Sequence, residues 1–317
     1  MNSSPHIVVV GSLNMDLVVR SPRLPQAGET LLGGPFGTYP GGKGANQAVA
    51  AARAGGRVTM IGAVGEDEFG GVLSRALETD MIAAELAHRR DAGTGVALIT
   101  VIEQGENTIV VAPGANASVD AALLESHPVS FDRADALMLQ LEVPLPAVQH
   151  AASMAKDRGA LVVLNAAPAQ PLPEALLDLT DVLVVNEGEA RRLLDKGPSS
   201  DTSSAAELAR ELAAFGPKKV IVTMGRDGAV AWDGSTLHEQ AAFTVESIDA
   251  VGAGDAFVGT LTVELAQRSP LSQALRYACA AGALATTRAG AQPSLPRRER
   301  LESFLQDSFR QDQGEPS

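Results

Sequence analysis

Short runs of apolar, often β-branched residues recur along this chain, and each stops at a polar or turn residue. Ile7–Val10 ends in Gly11, Ala136–Leu141 in Glu142, Ala160–Leu164 in Asn165, Val182–Val185 in Asn186, and Lys219–Thr223 in Met224-Gly225. Apolar runs without polar alternation are the mark of strands buried on both faces. Arg57–Gly62 reads as another such strand, and Glu68–Leu77 and Pro146–Lys156 as helices. Strands alternating with helices imply an α/β fold, a mostly parallel sheet with helices on both faces. In such sheets ligands bind beyond the strand C-termini. Asn14, Asp16, Glu142, Asn165, Asn186 and Thr223 all fall at that edge. One polar residue at a strand end is usually a turn or a cap; this many on one edge read as a site.

Three stretches depart from the alternation. Residues 12–20, 29–40 and 94–111 read as additional β-structure, with Thr94–Ile102 and Thr108–Val111 joined by a hairpin signal across Gln104-Gly105-Glu106-Asn107. They form either a small β-flap covering a ligand site or an ordinary edge of the main sheet. Lys196–Ser204 reads as a Ser-rich surface loop, and 311–317 as a disordered polar tail. No repeat or linker divides the chain, so residues 1–310 are expected to form a single domain.

A net charge of −13 and a pI near 4.8 argue against a nucleic-acid partner. An acidic chain that handles an anionic ligand has to gather positive potential locally, from backbone amides, a few Lys or Arg side chains, or bound cations. The single cysteine, Cys279, excludes an internal disulfide framework and a cysteine-rich zinc site, and fits a reducing compartment. No apolar run approaches the roughly 20 residues of a membrane span, and Met1–His6 lacks the regions of a signal peptide. A cytoplasmic location with no membrane partner is expected.

Asp249-Ala250-Val251-Gly252-Ala253-Gly254-Asp255-Ala256-Phe257 reads as a glycine turn opening into a helix. Free N–H groups and the positive dipole end make such a turn an anion receptor. Asp255 there is either an N-cap or the base that takes a proton from a hydroxyl attacking a phosphoryl group. Gly41-Gly42-Lys43-Gly44-Ala45-Asn46-Gln47 opens an alanine-rich helix ending at Gly55-Gly56. With Gly37 it approaches a P-loop, but Gly44 stands where that motif needs Ser or Thr for magnesium. Lys43 and Asn46 suit hydrogen bonding to the hydroxyls of a small polar ligand, with a plain helix-entry turn as the other reading. Arg288-Ala289-Gly290-Ala291-Gln292-Pro293-Ser294 reads as a loop near Asp249: carbonyls for a hard cation, or a simple connection between helices.

Read together, GGKGAN at 41–46 and Asp249–Asp255 make the chain resemble the PfkB-type carbohydrate kinases. The likeness covers nearly the whole chain. It includes Gly11-Ser12-Leu13-Asn14-Met15-Asp16, Pro25–Thr30, Gly114-Ala115-Asn116, Asn186-Glu187-Gly188-Glu189, Thr223-Met224-Gly225 and Gly290–Ser294, in the family's order. Within the family it is more similar to the ribose-phosphorylating members than to the fructose or adenosine kinases. The resemblance implies ATP-dependent phosphorylation of D-ribose at O5, with Asp255 as base and, in the turn that starts at Gly252, the amides of Ala253 and Gly254 forming the anion hole. It implies a sugar site of Asn14, Met15, Asp16, Gly42, Lys43, Gly44, Ala45, Asn46 and Glu142. Asn186 and Glu189 would lie near the phosphates and Mg²⁺. Thr223, Met224, Gly225, Arg226, Asp227 and Gly228 would line the ATP site, with Cys279 near the adenine. Asp249, Val251, Ala285, Arg288, Gly290 and Ser294 would hold K⁺, and the assembly would be a homodimer. Two departures stand out: Ala166 replaces a proline common in the family, and Val251 a residue that is often Thr. The alternatives are a kinase for deoxyribose, fructose or adenosine, and a catalytically silent sugar- or nucleotide-binding regulator. A dehydrogenase is poorly supported, because no strand is followed by a full G-x-G-x-x-G.

Overall fold

In the computed structural model, which describes residues 4–102, 107–197 and 202–312, the first apolar run forms β1 (His6–Val10) with every residue buried. It is followed by β2 (Asn14–Ser21), β3 (Phe36–Gly41), α1 (Lys43–Arg53), β4 (Arg57–Gly65), α2 (Glu68–Thr79), β5 (Ala83–Arg89), β6 (Gly95–Ile102) and β7 (Asn107–Ala112). Then come α3 (Ala121–Glu125), α4 (Pro128–Asp132), β8 (Ala136–Leu139), α5 (Leu145–Asp157), β9 (Leu161–Asn165), α6 (Glu174–Leu179), β10 (Val182–Asn186), α7 (Glu187–Leu193) and α8 (Ala205–Ala213). The chain finishes with β11 (Lys219–Thr223), β12 (Ala229–Trp232), β13 (Leu237–Gln240), α9 (Ala253–Ala266), α10 (Leu271–Ala285), α11 (Ala291–Ser294) and α12 (Arg298–Asp312).

The main sheet has the order β13-β12-β11-β10-β9-β8-β1-β4-β5. It is parallel from β11 to β5, with β12 and β13 antiparallel at one end. The chain leaves β1 toward β4 on one side and later returns to its other side as β8. The crevice beyond the β1 and β8 C-termini is therefore a switch point, where open α/β sheets place ligands. Along β1, Ile7 and Val9 pack into one apolar layer while Val8 and Val10 pack into the other. That two-sided burial is why the run carries no polar alternation.

The flap is a separate four-stranded sheet, β3-β2-β6-β7, and not an edge of the main one. β2 pairs parallel to β6, and the other two pairings are antiparallel. Only residues 36–40 of the expected 29–40 stretch enter a strand, and the hairpin turn at 104–106 lies outside the described residues.

Other boundaries differ for identifiable reasons. β8 stops at Leu139 because the Leu141 N–H donates to the Ala167 carbonyl (3.0 Å), which turns the chain and frees Gln140 and Glu142. Ser204 closes a capping box with Glu207 at the start of α8 instead of ending a loop, while 198–201 lie outside the described residues. Helix α12 continues through Asp312, past the expected start of the tail, and 313–317 are not described.

Two helices carry the centre of the molecule. α1 and α9 cross at Gly259, where a Cβ would lie 2.6 Å from the Ala50 Cβ and 2.8 Å from the Ala51 nitrogen. The helices thus meet backbone to backbone, which brings their N-terminal turns together at the sheet's C-terminal edge.

Candidate active site

Both helices begin at a glycine with positive φ: Gly42 (φ 87°) before α1 and Gly252 (φ 82°) before α9. A side chain would be strained at either position. Asp255 is therefore not the N-cap of α9 but sits one turn in, buried. Its Oδ2 accepts from the Asn46 side-chain amide (3.0 Å) and its Oδ1 from that of Gln47 (3.0 Å). The capping explanation of Asp255 is thereby excluded. Burial pushes its pKa up, against the opposing pull of Lys43, Asn46 and Gln47, while Glu142 adds to the rise.

At the adjoining strand ends, the Glu142 Oε2 accepts from the Ser12 hydroxyl (2.6 Å), the Lys43 amide (3.1 Å) and, at 3.5 Å, the Asn14 side-chain amide. Asn116 fixes Asn14 in turn, donating to its Oδ1 (2.8 Å) while pairing with both backbone groups of Leu13. Asp16 lies one pleat beyond Asn14 on β2, over Gly41, where a Cβ would lie 2.2 Å from its Oδ2. Burial first, then the Glu142 and Asp255 carboxylates, raise the Asp16 pKa to about 7. Burial would lower the Lys43 ammonium, but Asp255, Glu142 and Glu189 outweigh it and hold its pKa above the usual range. The Asn46 Oδ1 is buried without a protein partner, an acceptor left for a donor from outside the chain.

Lys43, Asn165, Asn186, Glu189, Thr223, Ala250, Gly252, Gly254 and Asp255 line one cavity of about 210 Å³. The cavity runs from the α1 and α9 N-termini to the ends of β10 and β11. A Cβ at Gly254 would meet nothing within 4 Å, so the helix terminus opens onto free space. The Ala253 amide donates to the Ala250 carbonyl (3.2 Å), which leaves Gly254 as the more available of the two expected anion-hole donors. Asn186 and Glu189 form a capping box at α7, their side chains bonded to each other's backbone amides.

Several expected positions stand differently. Met15, alternating with Asn14 and Asp16 along β2, packs in the apolar core. The Gly44 and Ala45 amides are engaged by Ser12. Met224 to Gly228 form a tight turn after β11, with the Met224 N–H donating to the Gly228 carbonyl (2.8 Å), outside the cavity lining. Cys279 is buried in α10 and is not part of the cavity lining, and burial pushes its thiol up to about 12. Asp249 bridges two loops, its Oδ1 accepting from the Val251 amide (3.0 Å) and its Oδ2 from the Gly290 amide (2.8 Å). Ile248 and Asp249 also donate to the Thr286 carbonyl at the α10 C-terminus (2.7 and 3.1 Å). Ser12, Gln47 and Gln140 escaped the sequence reading as site residues. The signal for Gln140 was a lone amide inside an apolar run.

A carboxylate held at a helix N-terminus, beside a lysine and at the switch point of an α/β sheet, defines an enzyme that moves an anionic group onto a small polar acceptor. The chain belongs to the pfkB family of carbohydrate kinases, whose model matches residues 4–298. It is 39% identical over 303 residues to a ribokinase of Schizosaccharomyces pombe, covering 92% of this chain and 95% of that one. It is 37% identical to a ribokinase of Haemophilus influenzae, covering 95% and 98%. Among solved structures, a ribokinase from Giardia lamblia matches with a TM-score of 0.89 at 29% identity, over 96% of this chain and 99% of that one. Arabidopsis thaliana ribokinase complexed with ribose and ATP matches with a TM-score of 0.85 at 30% identity, over 95% and 99%.

The Asp16 environment generates a test by pH. Its folded pKa lies above its unfolded value, so the proton it retains stabilises the fold fully below about pH 4. That contribution is lost as pH rises through about 7. Asp16→Asn should gain stability over the parent by up to a few kcal/mol, roughly, at pH 8 and nothing at pH 4. Urea midpoints at pH 4, 6 and 8 measure the difference; a gap that does not change with pH would remove this account of Asp16.

Proposed function

We propose that the chain transfers the γ-phosphoryl group of ATP to the 5-hydroxyl of D-ribose, giving ribose 5-phosphate and ADP. The observation that carries this reading is the pairing of Asp255 with Asn46 and Gln47 beside an open helix N-terminus. The ribokinase relatives supply the choice of sugar. Asn14, Asp16, Asn46 and Glu142 hold the sugar hydroxyls, with the unpartnered Asn46 Oδ1 accepting from one of them. Asp255 takes the proton from the attacking hydroxyl as it moves onto phosphorus. The Gly254 amide and the α9 dipole receive the charge developing on the phosphoryl oxygens, with Lys43 adding positive potential. The small β-sheet acts as a lid over the sugar and keeps water from competing as acceptor.

Glu189 keeps one carboxylate oxygen outside its capping box and lines the cavity, which suits it to Mg²⁺ held together with ATP. When bound, that ion supplies charge neutralisation at the phosphate oxygens. Asp249 with the backbone oxygens of Val251, Ala285, Arg288 and Gly290, and with Ser294, would hold K⁺. A cage built mostly of backbone oxygens suits a weakly hydrated monovalent ion. On one face of the small sheet Phe36, Leu98 and Val110 are exposed, an apolar patch that a second copy would cover in a homodimer. Among the described residues no helix is long and apolar enough to cross a membrane. A cytoplasmic location, where ATP is at hand and Cys279 stays reduced, accords with this activity.

Four outcomes are expected. Asp255→Asn should lower kcat by at least about 10²–10⁴-fold with the sugar KM little changed, and D-ribose should give the highest kcat/KM for ADP release in a panel of pentoses, hexoses and nucleosides. Near-normal turnover by the variant, or a better acceptor in the panel, overturns the mechanism or the substrate respectively. With tetramethylammonium as the only other cation, activity should rise on titrating KCl, and Asp249→Ala should lose that response; a flat titration removes the K⁺ site alone. Sedimentation at micromolar concentration should show a dimer, which a Phe36→Asp, Leu98→Asp double variant dissociates; a monomeric parent chain ends the assembly proposal.

A further inference from the structure

Behind the base lies a line of buried amides, of which the phosphoryl-transfer scheme uses only the Gln47 contact with Asp255. Gln47 and Gln140 are both fully buried, and Asn165 nearly so. The Gln47 Nε2 donates to the Asp255 Oδ1 (3.0 Å) and to the Asn165 Oδ1 (2.9 Å), while the Gln47 Oε1 accepts from the Gln140 Nε2 (2.6 Å). Asn165 is turned by its own bond, its Nδ2 donating to the Val184 carbonyl (3.1 Å).

The direction of this line is determined by its ends. A carboxylate and a backbone carbonyl are both obligate acceptors, so the Asn165 oxygen must face Gln47 and the Gln47 NH₂ must face both neighbours. Flipping Gln47 would set its oxygen against the Asp255 and Asn165 oxygens. Gln140 therefore has to present its NH₂, and its own oxygen is left buried with no partner. That orphan lies where Gly11 leaves room, since a Cβ at Gly11 would be 2.1 Å from it. A buried acceptor is left unmet so that the Gln140 amide donates to Gln47 and the Gln47 amide to Asp255, an arrangement that packing alone does not require.

We infer that Gln47, backed by Gln140, is a positioning residue for Asp255: it holds the carboxylate in one rotamer, with the attacking hydroxyl in line. The inference rests on Asp255 being the base proposed above. Asn46 shares the task from the other carboxylate oxygen but also faces the ligand, whereas Gln47 touches only Asp255, Asn165 and Gln140 through its polar atoms. The charged groups that also act on Asp255 are Lys43 of α1, Glu142 beyond β8 and Asp16 of β2. None of them is altered by replacing Gln47.

The test uses the full chain with ribose and ATP. Gln47→Met, of similar volume and without a donor, should lower kcat by about 10–100-fold, the scale of a misplaced catalytic group. The KM values for sugar and ATP should stay within about 3-fold, and the acid limb of the kcat/KM profile should move to higher pH. Gln140→Leu should give the same changes with a smaller loss. Unchanged kcat, or a loss with the acid limb unmoved, would reduce Gln47 to a packing residue and overturn the inference. If Gln47→Met does not fold, Gln140→Leu decides by the same two readouts. Asp255→Asn, run alongside, separates the failures: an active Asn variant sinks the base itself, while an inactive one beside a normal Gln47→Met sinks only this positioning role.

Discussion

The contact between α1 and α9 sets the distances on which the site depends. Where Gly259 meets Ala50 and Ala51 nothing larger than a methyl group intervenes, so the two helices pack closely. The consequence is felt at the N-termini, where Asn46 and Gln47 of one helix reach both oxygens of Asp255 on the other. A wider crossing would leave those amides short of hydrogen-bond range and Asp255 a buried charge without donors. The alanine-rich middle of α1, Ala48 to Ala52, is the sequence's answer to that geometric demand.

The electrostatics of the cleft follow from the same crowding. Three carboxylates, Asp16, Glu142 and Asp255, act on one another around a single lysine. Each is managed differently. Glu142 gathers donors from Ser12, Lys43 and Asn14 on one oxygen, Asp255 meets one amide at each oxygen, and Asp16 is left to hold its proton near neutrality. The arrangement is unfavourable for the empty protein and favourable for a ligand rich in hydroxyl donors. Stability is given up where binding requires it.

Much of this was legible in the chain before the fold was known, for a physical reason. Strands buried on both faces cannot hide their pattern, so β1, β9, β10 and β11 read directly from apolar runs, and the polar residues after them marked the binding edge. Edge strands can hide. β5 is half-exposed and carries Glu85, His88 and Arg89, and the β12–β13 hairpin turns through Asp233-Gly234, a strong hairpin signal that went unread. The amide line behind Asp255 was out of reach in another way. Gln47 and Gln140 are 93 residues apart, and Gln47 and Asp255 are 208 apart. No local spacing encodes a contact made only by the topology.

The small sheet shares covalent continuity with the candidate site. β2 begins at Asn14 and carries Asp16 two residues on, and β3 ends at Gly41, one residue before the glycine that opens α1. Gly41 is also the residue whose missing side chain makes room for the Asp16 carboxylate. The small sheet and this part of the cleft are therefore inherited as one piece. Exchanging the sheet for that of a relative would exchange Asn14 and Asp16 with it, so neither can be altered without the other.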